Sequence, residues 1–230
     1  EEVDLRVLHR ATGELPPGNL GEISYNEADW EVSQFMEMWG EELKGSKSPS
    51  ISFREELGGV GLTGELGPFV NGNQLLYRCV DEMKGKDRLR SWLRHLFAMA
   101  FGEDKKRQTR FYCSAKKFLI FDPLDPDIAR GQIEELLELY RKGRQEALPF
   151  FAETSFVYQN TRDDGPAVEQ GKAIDAARKK WTTGKFNFGE ADDPAIKICF
   201  REEPFAHPGF SDLAQSVFGL MLESSREEAG

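Results

Sequence analysis

Three short apolar runs, separated by turn residues and followed by one amphipathic run, constrain the fold of this chain more than any other feature. The runs cover 50–57, 60–66 and 74–80, with Gly-Gly after the first and Asn-Gly-Asn before the third. Each run is short and partly β-branched or aromatic, which is typical of strands, and the residues between them favour tight turns. The pattern therefore predicts a three-strand meander.

Helices flank this meander in the chain. Apolar residues at three- and four-residue spacing predict one helix near 26–43 and a second at about 86–101. The stretches TRFYC (109–113) and KFLIF (117–121) predict one or two further strands. The order helix, three strands, helix, strand predicts an α/β (α+β) fold in which helices cover both faces of a mixed sheet.

The second half of the chain is predicted to be mostly helical. Apolar residues recur at helical spacing in four places: about 126–142, 166–182, just after Pro194, and 211–224. We expect one domain over 1–230, with a core at about 20–122. The helical extension, at about 125–225, is expected to pack on the sheet.

Charge is distributed unevenly along the chain. The net charge of −10 by itself argues against nucleic acid, because phosphates require a positive surface. The segment from Lys84 to Lys117 nevertheless contains eleven basic residues and only three acidic ones. The basic residues are our candidates for DNA binding: Lys84, Lys86, Arg88, Arg90, Arg94, Lys105, Lys106, Arg107, Arg110, Lys116 and Lys117. The alternative is a solvated helix face followed by a charged loop.

The element order is similar to the core of the PD-(D/E)xK nucleases. In that fold, an acidic residue on the second strand and an acid-x-Lys triplet on the third hold Mg²⁺, which activates water. In members of the RecB type, the first acid lies three residues after a glycine. Here the residue three after Gly64 is Gly67, which has no side chain to bind a metal.

The predicted third strand also lacks the acidic residue. Positions 76–80 read Leu-Tyr-Arg-Cys-Val. A formal acid-x-Lys triplet from Glu82 to Lys84 lies past the predicted strand end, and such triplets are common in a chain that is 30% charged. Strand alternation directs Glu65, another possible ligand, away from the face of its neighbours. We therefore predict no catalytic residue and no metal ligand, with Gly67, Glu82 and Lys84 as the degenerate positions.

Several stretches are similar to the C-terminal domain of RecC, the gamma chain of exodeoxyribonuclease V. They follow the order of that family and cover nearly the whole chain: LPPGNLGE (15–22), LTGEL (62–66), KDRLRSWLRHL (86–96), SAKKFL (114–119), LYRKGRQEALPFFAETS (139–155) and GEADDPAIKICFREEP (189–204). The most specific of them are WLRHL and GEADDP.

This resemblance implies a nuclease-like domain without nuclease activity. RecC acts with RecB and RecD in a complex that unwinds and degrades DNA at double-strand breaks. The implied partners are therefore RecB, RecD, double-stranded DNA ends and the separated single strands. The resemblance implies no cofactor for this chain, since the partner subunits use Mg²⁺ and ATP. A bacterial cytoplasm is expected, in agreement with three scattered cysteines and the lack of an apolar run long enough for a membrane span.

The resemblance also implies that this domain helps to split the duplex with a protruding pin and contacts RecD. Two segments are candidates for the pin: a hairpin at Gly67–Asn73 and a loop at Ser155–Gly165. In the loop, Phe156 and Tyr158 are candidates to stack on an unpaired base, although their spacing equally suits a buried strand or helix face.

Two other functions stay open. The first is an active Mg²⁺-dependent nuclease of the same fold that uses Glu65 or Glu82 together with Lys84. The second is a pure protein-interaction scaffold, for which the basic segment would have no role in DNA binding.

Overall fold

The fold is a mixed sheet with helices on both faces, and the computed structural model describes residues 4–80, 82–114, 117–163, 170–185 and 188–229. The helices are α1 (Leu5–Ala11), α2 (Asn19–Leu43), α3 (Gly85–Phe101), α4 (Pro126–Gly143), α5 (Ala152–Asp163), α6 (Gln170–Trp181), α7 (Pro194–Cys199) and α8 (Phe210–Glu223). The strands are β1 (Lys47–Ser48), β2 (Ile51–Leu57), β3 (Val60–Leu66), β4 (Phe69–Val70), β5 (Asn73–Tyr77), β6 (Thr109–Tyr112), β7 (Lys117–Phe121) and β8 (Ser225–Ala229). No helix in these ranges combines the length and apolar character that a membrane crossing requires.

Six strands form one sheet in the order β1-β4-β5-β6-β7-β8, while β2 and β3 form a separate two-stranded sheet. Strands β5 and β6 are parallel and α3 connects them, whereas the other pairs are antiparallel. The sheet is therefore mixed, which confirms the predicted α/β (α+β) class.

The predicted meander is interrupted in its first hairpin. Strand β2 pairs with β3 starting at Ile51 and Leu66, and β1 pairs with β4 through Lys47 and Val70 in the register that continues the same hairpin. Pro68 lies at the interruption, where its missing N–H cannot donate to the ladder. The prediction that the third strand pairs directly with 60–66 is wrong, because β5 pairs with β4 beyond the interruption.

The two faces of the sheet bury different clusters. The face toward α2 buries Phe35, Trp39, Val70, Leu75 and Tyr112. The opposite face, toward α3, α4 and α8, holds the main core, which includes Trp92, Leu96, Phe111, Phe121 and Phe218. Each fully buried side chain of this size contributes about 1.5–3 kcal/mol to stability before entropy is counted. Helices on both faces of the sheet confirm the predicted layering.

The helical extension packs on the core through α5 and α8. The first residue of α3, Gly85, meets the start of α5 so closely that a Cβ there would lie 2.1 Å from the backbone oxygen of Ala152. Val217, Phe218 and Met221 of α8 lie in the main core. The domain limits expected from the sequence remain a prediction.

Three elements differ from the sequence prediction. Helix α2 begins at Asn19 rather than near 26, and α1 was not predicted. Helix α5 occupies residues where we predicted a loop, because its aromatic side chains are buried against α8 although its sequence has weak helix propensity. Strand β8, SREEA, has a charged sequence without strand propensity and forms by antiparallel pairing with β7.

The other helix predictions agree with the structure within a few residues. Helix α4 begins where Asp125 caps its first turn and Pro126 occupies the first helical position. Helix α6 is described from Gln170, so the predicted start near 166 lies outside the described residues.

Candidate nucleic-acid interface

A cavity of about 330 Å³ opens between the end of β5 and the first half of α3. It is lined by Pro68, Leu75, Leu76, Tyr77, Arg78, Asp87, Arg90, Ser91, Arg94 and Phe111. Three of these residues are arginines and one is an aspartate. We call this cavity the arginine pocket.

Strand alternation and helix periodicity bring these side chains together. Successive residues of β5 point to opposite faces, so Leu76 lies in the core under α3 while Leu75 lies in the cluster under α2. Arg78 continues the alternation from Leu76. On α3, Arg90 and Arg94 are four residues apart and therefore share one face of the helix.

The single carboxylate of the arginine pocket is engaged by the protein itself. Asp87 is only 4% exposed, and its Oδ1 accepts a hydrogen bond from Nη1 of Arg78. Its Oδ2 accepts from the backbone N–H of Lys84 at 3.3 Å, which satisfies the first turn of α3. Asp87 therefore orients Arg78 and caps the helix, and it does not pair with the other two arginines.

The other two arginines are exposed and only lightly held. Nη1 of Arg94 donates to the backbone oxygen of Gly67 at 3.2 Å. Within the described ranges, Arg90 has no hydrogen-bond or ion-pair partner. Among its described lining residues, the arginine pocket therefore presents three cations and one carboxylate, which Arg78 already engages.

The predicted degenerate positions, and the alternative ligand Glu65, lie in three different places. Gly67 is at the interruption between β3 and β4, with its carbonyl turned to Arg94. Glu65 is exposed on β3 and lines neither this pocket nor the next cavity. Glu82 and Lys84 lie after the end of β5, in agreement with the sequence prediction.

Glu82 and Lys84 line a second cavity of about 540 Å³, which we call the Glu82 cavity. Its other charged residues are Lys86, Glu153, Lys180 and Glu190. It shares no lining residue with the arginine pocket. The structure therefore does not place Glu82 or Lys84 in the pocket where Gly67, Pro68 and Leu76 meet α3.

Two carboxylates of the Glu82 cavity accept hydrogen bonds from backbone N–H groups at the starts of helices. Glu153 accepts from the backbone N–H of Gly85 and lies 3.4 Å from Nζ of Lys180. Glu190 accepts from the backbone N–H groups of Glu153 and Thr154 at 3.1 and 2.7 Å, at the start of α5. Across the described part of the chain, no group of three or more His, Cys, Asp or Glu side chains is arranged to hold a metal ion.

Three of the eleven basic candidates are engaged in structural contacts. Arg88 pairs with Glu227, and its guanidinium lies 4.7 Å from the ring centre of Phe156. Arg107 donates from Nε to the oxygen of Gly72 at 2.8 Å and lies over Phe69. Arg110 is partly buried and donates to Gln108. The fold uses these three side chains, and their assignment to DNA binding stays a prediction.

The remaining candidates are on the surface or outside the described residues. The exposed ones are Lys84, Lys86, Arg90, Arg94, Lys105, Lys106 and Lys117. Lys117 lies 4.0 Å from Glu227, and Lys105 and Lys106 lie in the loop between α3 and β6. Lys116 lies outside the described residues.

The sequence prediction missed Arg78. It treated positions 76–80 as possible carboxylate positions and gave no role to the arginine that lies two residues after a buried leucine on the same strand face. The signal that could have found it is the two-residue alternation from Leu76 to Arg78.

A buried polar chain lies under α3 near the arginine pocket. The Nδ1 atom of His95 is 3.0 Å from Oγ1 of Thr109, which donates to Gln74 Oε1 at 3.1 Å. The imidazole is stacked against the rings of Trp92 and Phe121 and is 0% exposed. Burial lowers the pKa of His95 to about 4, so this side chain is neutral at pH 7.

Both segments proposed for the pin are packed into the fold. The hairpin segment Gly67–Asn73 contains β4, whose Phe69 and Val70 are 1% and 5% exposed. The other segment is helical as far as Asp163, and Phe156 and Tyr158 are 8% and 1% exposed. Gly165 lies outside the described residues. The predicted stacking of these two aromatic rings on a base is wrong, since the core buries both.

Two comparisons with known proteins bear on this chain. A search of curated proteins found no match. A family model described as the RecC C-terminal domain matches residues 1–163, which is more than half of the 230 residues and includes the whole arginine pocket. The chain therefore belongs to the RecC C-terminal domain family, and with it to the DNA-repair subunits of the RecBCD type.

Proposed function

We propose that this chain is a non-catalytic, nuclease-like module that guides a separated DNA strand and helps to assemble a RecBCD-type complex. The observation that carries the proposal is the composition of the arginine pocket. Arg78, Arg90 and Arg94 lie there, and among the residues that the structure describes the only carboxylate lining it, that of Asp87, is buried and engaged with Arg78 and the start of α3.

The order of elements supports a nuclease-like origin. Helix α2, the interrupted hairpin, β5, α3 and a β6 strand parallel to β5 follow the same order as a PD-(D/E)xK core. In such a core, carboxylates on the second and third strands hold the metal ion. Here the corresponding part of the fold contains Gly67, Pro68, Leu76 and Arg78, which offer no anionic ligand.

The charge of the arginine pocket favours phosphate over a metal cation. A guanidinium group repels Mg²⁺ at short range and binds phosphate through charge-assisted hydrogen bonds. Substituting arginine for a carboxylate reverses the preferred ligand while preserving the strand and helix that shape the pocket. We therefore propose no cofactor for this chain and assign the use of Mg²⁺ and ATP to the partner subunits.

Strand guidance is better supported than duplex splitting in the segments described. In the two pin candidates, the described aromatic side chains Phe69, Phe156 and Tyr158 are buried, so these rings are not free to separate two strands. The exposed cations, by contrast, are concentrated on α3 and the loop after it. These positions suit electrostatic contact with a strand that is already separated.

Assembly is supported by an apolar surface on α1 and α2. Its most exposed large side chains are Leu5, Val7, Leu20, Ile23 and Trp30, at 53–68% exposure. A concentration of exposed apolar side chains of this kind marks protein contact sites. We propose that this surface contacts other parts of the complex, with RecB and RecD as partners in the bacterial cytoplasm.

The catalytic part of the proposal is tested in the assembled complex with the nuclease site of the partner subunit inactivated. We expect no Mg²⁺-dependent cleavage of linear DNA, and no change in Glu65→Ala, Glu82→Ala or Lys84→Ala. Cleavage that any of these three substitutions abolishes would show an active nuclease in this chain.

A further inference from the structure

We infer that the arginine pocket is a binding subsite for a backbone phosphate of single-stranded DNA, which Arg90 and Arg94 bind. This inference rests on the proposed function and specifies its ligand. It assigns Arg78 as a third cation of the pocket and Asp87 as the residue that positions it.

Arg90 and Arg94 have the geometry of a two-pronged phosphate site. Residues four apart on a helix have Cβ atoms about 5–6 Å apart, so two guanidinium groups on one face converge on one anion. Both side chains are exposed, and both line the same cavity. The bond from Arg94 to the Gly67 carbonyl uses only one of the five N–H donors of its guanidinium group.

Arg78 completes the positive wall from the side of the sheet. Its side chain is 44% exposed, whereas the side chain of Asp87 beside it is 3% exposed. Because Asp87 is buried and also holds the backbone of Lys84, it fixes one edge of the Arg78 guanidinium. The exposed part of the guanidinium lines the arginine pocket. A fixed cation loses less side-chain entropy on binding than a flexible one.

The ring of Tyr77 lies on the other face of the sheet. Tyr77 alternates with Leu76 and Arg78 along the chain, and its ring contacts Phe35 of α2, with the ring centres 6.0 Å apart. Its partner across the ladder, Tyr112, belongs to the cluster under α2. The phosphate site is therefore made by the arginines, and Tyr77 provides an aromatic residue outside it for comparison.

The size of the cavity also fits a small part of a strand. Its volume of about 330 Å³ is at the low end of the range for ligand pockets, about 300–1,000 Å³. A phosphate with its sugar enters such a space more readily than the width of a duplex.

The test uses the assembled complex, with its partner nuclease inactivated, bound to duplex DNA with one single-stranded tail. Photocrosslinking of the tail to this chain and titration against salt are compared for wild type, Arg90→Gln with Arg94→Gln, and Tyr77→Ala. We expect the double substitution Arg90→Gln, Arg94→Gln to weaken tail binding at least ten-fold. The slope of log K against log salt concentration should also become smaller by about 0.7 for each phosphate that is no longer neutralised. Tyr77→Ala is expected to leave both tail binding and the slope unchanged, because the Tyr77 ring lies against Phe35 of α2 on the other face of the sheet.

Lys105→Gln with Lys106→Gln is the matched control, since it removes the same charge from a loop outside the pocket. We expect the control to leave the crosslink to the tail in place. Arg90→Gln alone provides a second variant that breaks no described contact of the folded chain.

The outcomes separate this inference from the proposed function. The subsite would be overturned if tail binding and the salt slope were unchanged both in the Arg90→Gln, Arg94→Gln double variant and in Arg90→Gln alone. If the tail also stayed intact, the non-catalytic function would stand. Shortening of the tail in Mg²⁺ by the wild-type chain, abolished in Glu82→Ala, would overturn the proposed function itself. Equal weakening by the lysine control would show a diffuse basic surface and would also overturn the subsite.

Discussion

The arginine pocket and the Glu82 cavity both include residues around the start of α3, but their charged side chains have different partners. In the Glu82 cavity three acidic and three basic side chains balance, and Glu153 and Glu190 bind backbone N–H groups at the starts of α3 and α5. In the arginine pocket three cations face one engaged carboxylate. The acid-x-Lys triplet therefore lines the cavity beside the starts of α3 and α5, while the described residues between β5 and α3 are mainly cationic.

The residues of a sequence motif identify a site only when the fold places them on the element that the chemistry requires. Glu82 and Lys84 have the spacing of a nuclease triplet, yet they follow the end of β5. Arg78 has no place in that motif, yet it lies on the face of β5 that meets α3.

The largest expected change in stability tests whether the region beside the Glu82 cavity holds α3 and α5 together. In Gly85→Val the new side chain would meet the backbone oxygen of Ala152, since even a Cβ would lie at 2.1 Å. We expect a loss of about 3 kcal/mol in the free energy of unfolding, measured by urea denaturation. Gly131→Ala is the control, because nothing lies within 4 Å of its added Cβ in α4. It should stabilise the helix by up to about 1 kcal/mol.

The next effect concerns the buried polar chain under α3. The pKa of His95 is about 4 in the folded chain against 6.5 for an ordinary histidine, so the unfolded chain binds more protons between these values. The neutral, buried His95 therefore makes its full contribution to stability above pH 6.5, and this contribution is lost as the pH falls toward 4. We expect this side chain alone to account for a loss of about 2 kcal/mol between pH 6.5 and pH 5.

Urea denaturation across this pH range, compared with His95→Gln, measures that contribution. The variant should lose this part of the pH dependence, while the exposed His9→Gln keeps it. If the free energy of unfolding depended on pH in the same way in the wild type and in His95→Gln, the pKa of His95 would be the same in the folded and unfolded chains, and this prediction would be wrong.

The smallest effect on stability concerns the cap of α5. Glu190→Ala removes the acceptor for the N–H groups of Glu153 and Thr154, and we expect a loss of about 1 kcal/mol. The exposed Glu146→Ala is the control and should change stability by less than about 0.5 kcal/mol. Tail binding should be unchanged in both, because neither residue lines the arginine pocket. Weaker tail binding in Glu190→Ala would place DNA in the Glu82 cavity.

Much of the fold could be predicted from local pattern. Helices α3 and α4 follow from apolar spacing, and the hairpin of β2 and β3 from its Gly-Gly turn. Local pattern failed where long-range pairing decides the structure. Strand β8 forms only because β7 presents an edge, and α5 forms because Phe156 and Tyr158 enter the core.

The candidate site could be predicted only in part. The charge of α3 was visible in the sequence, and so was the absence of an acid at Gly67. Which arginines are available could not be predicted, because the contacts of Arg88 with Glu227 and of Arg107 with Gly72 join distant parts of the chain. The arginine pocket itself depends on β5 and α3 meeting in space.

The central claim is that the arginine pocket, and not the Glu82 cavity, is the part of this segment that meets DNA. The most direct measurement is the affinity of the assembled complex for tailed DNA in two double variants, Arg90→Gln with Arg94→Gln and Glu82→Ala with Lys84→Ala. We expect weaker binding and a smaller salt slope in the first variant and unchanged binding in the second. Unchanged binding in the first variant, with weaker binding or abolished Mg²⁺-dependent cleavage in the second, would contradict it.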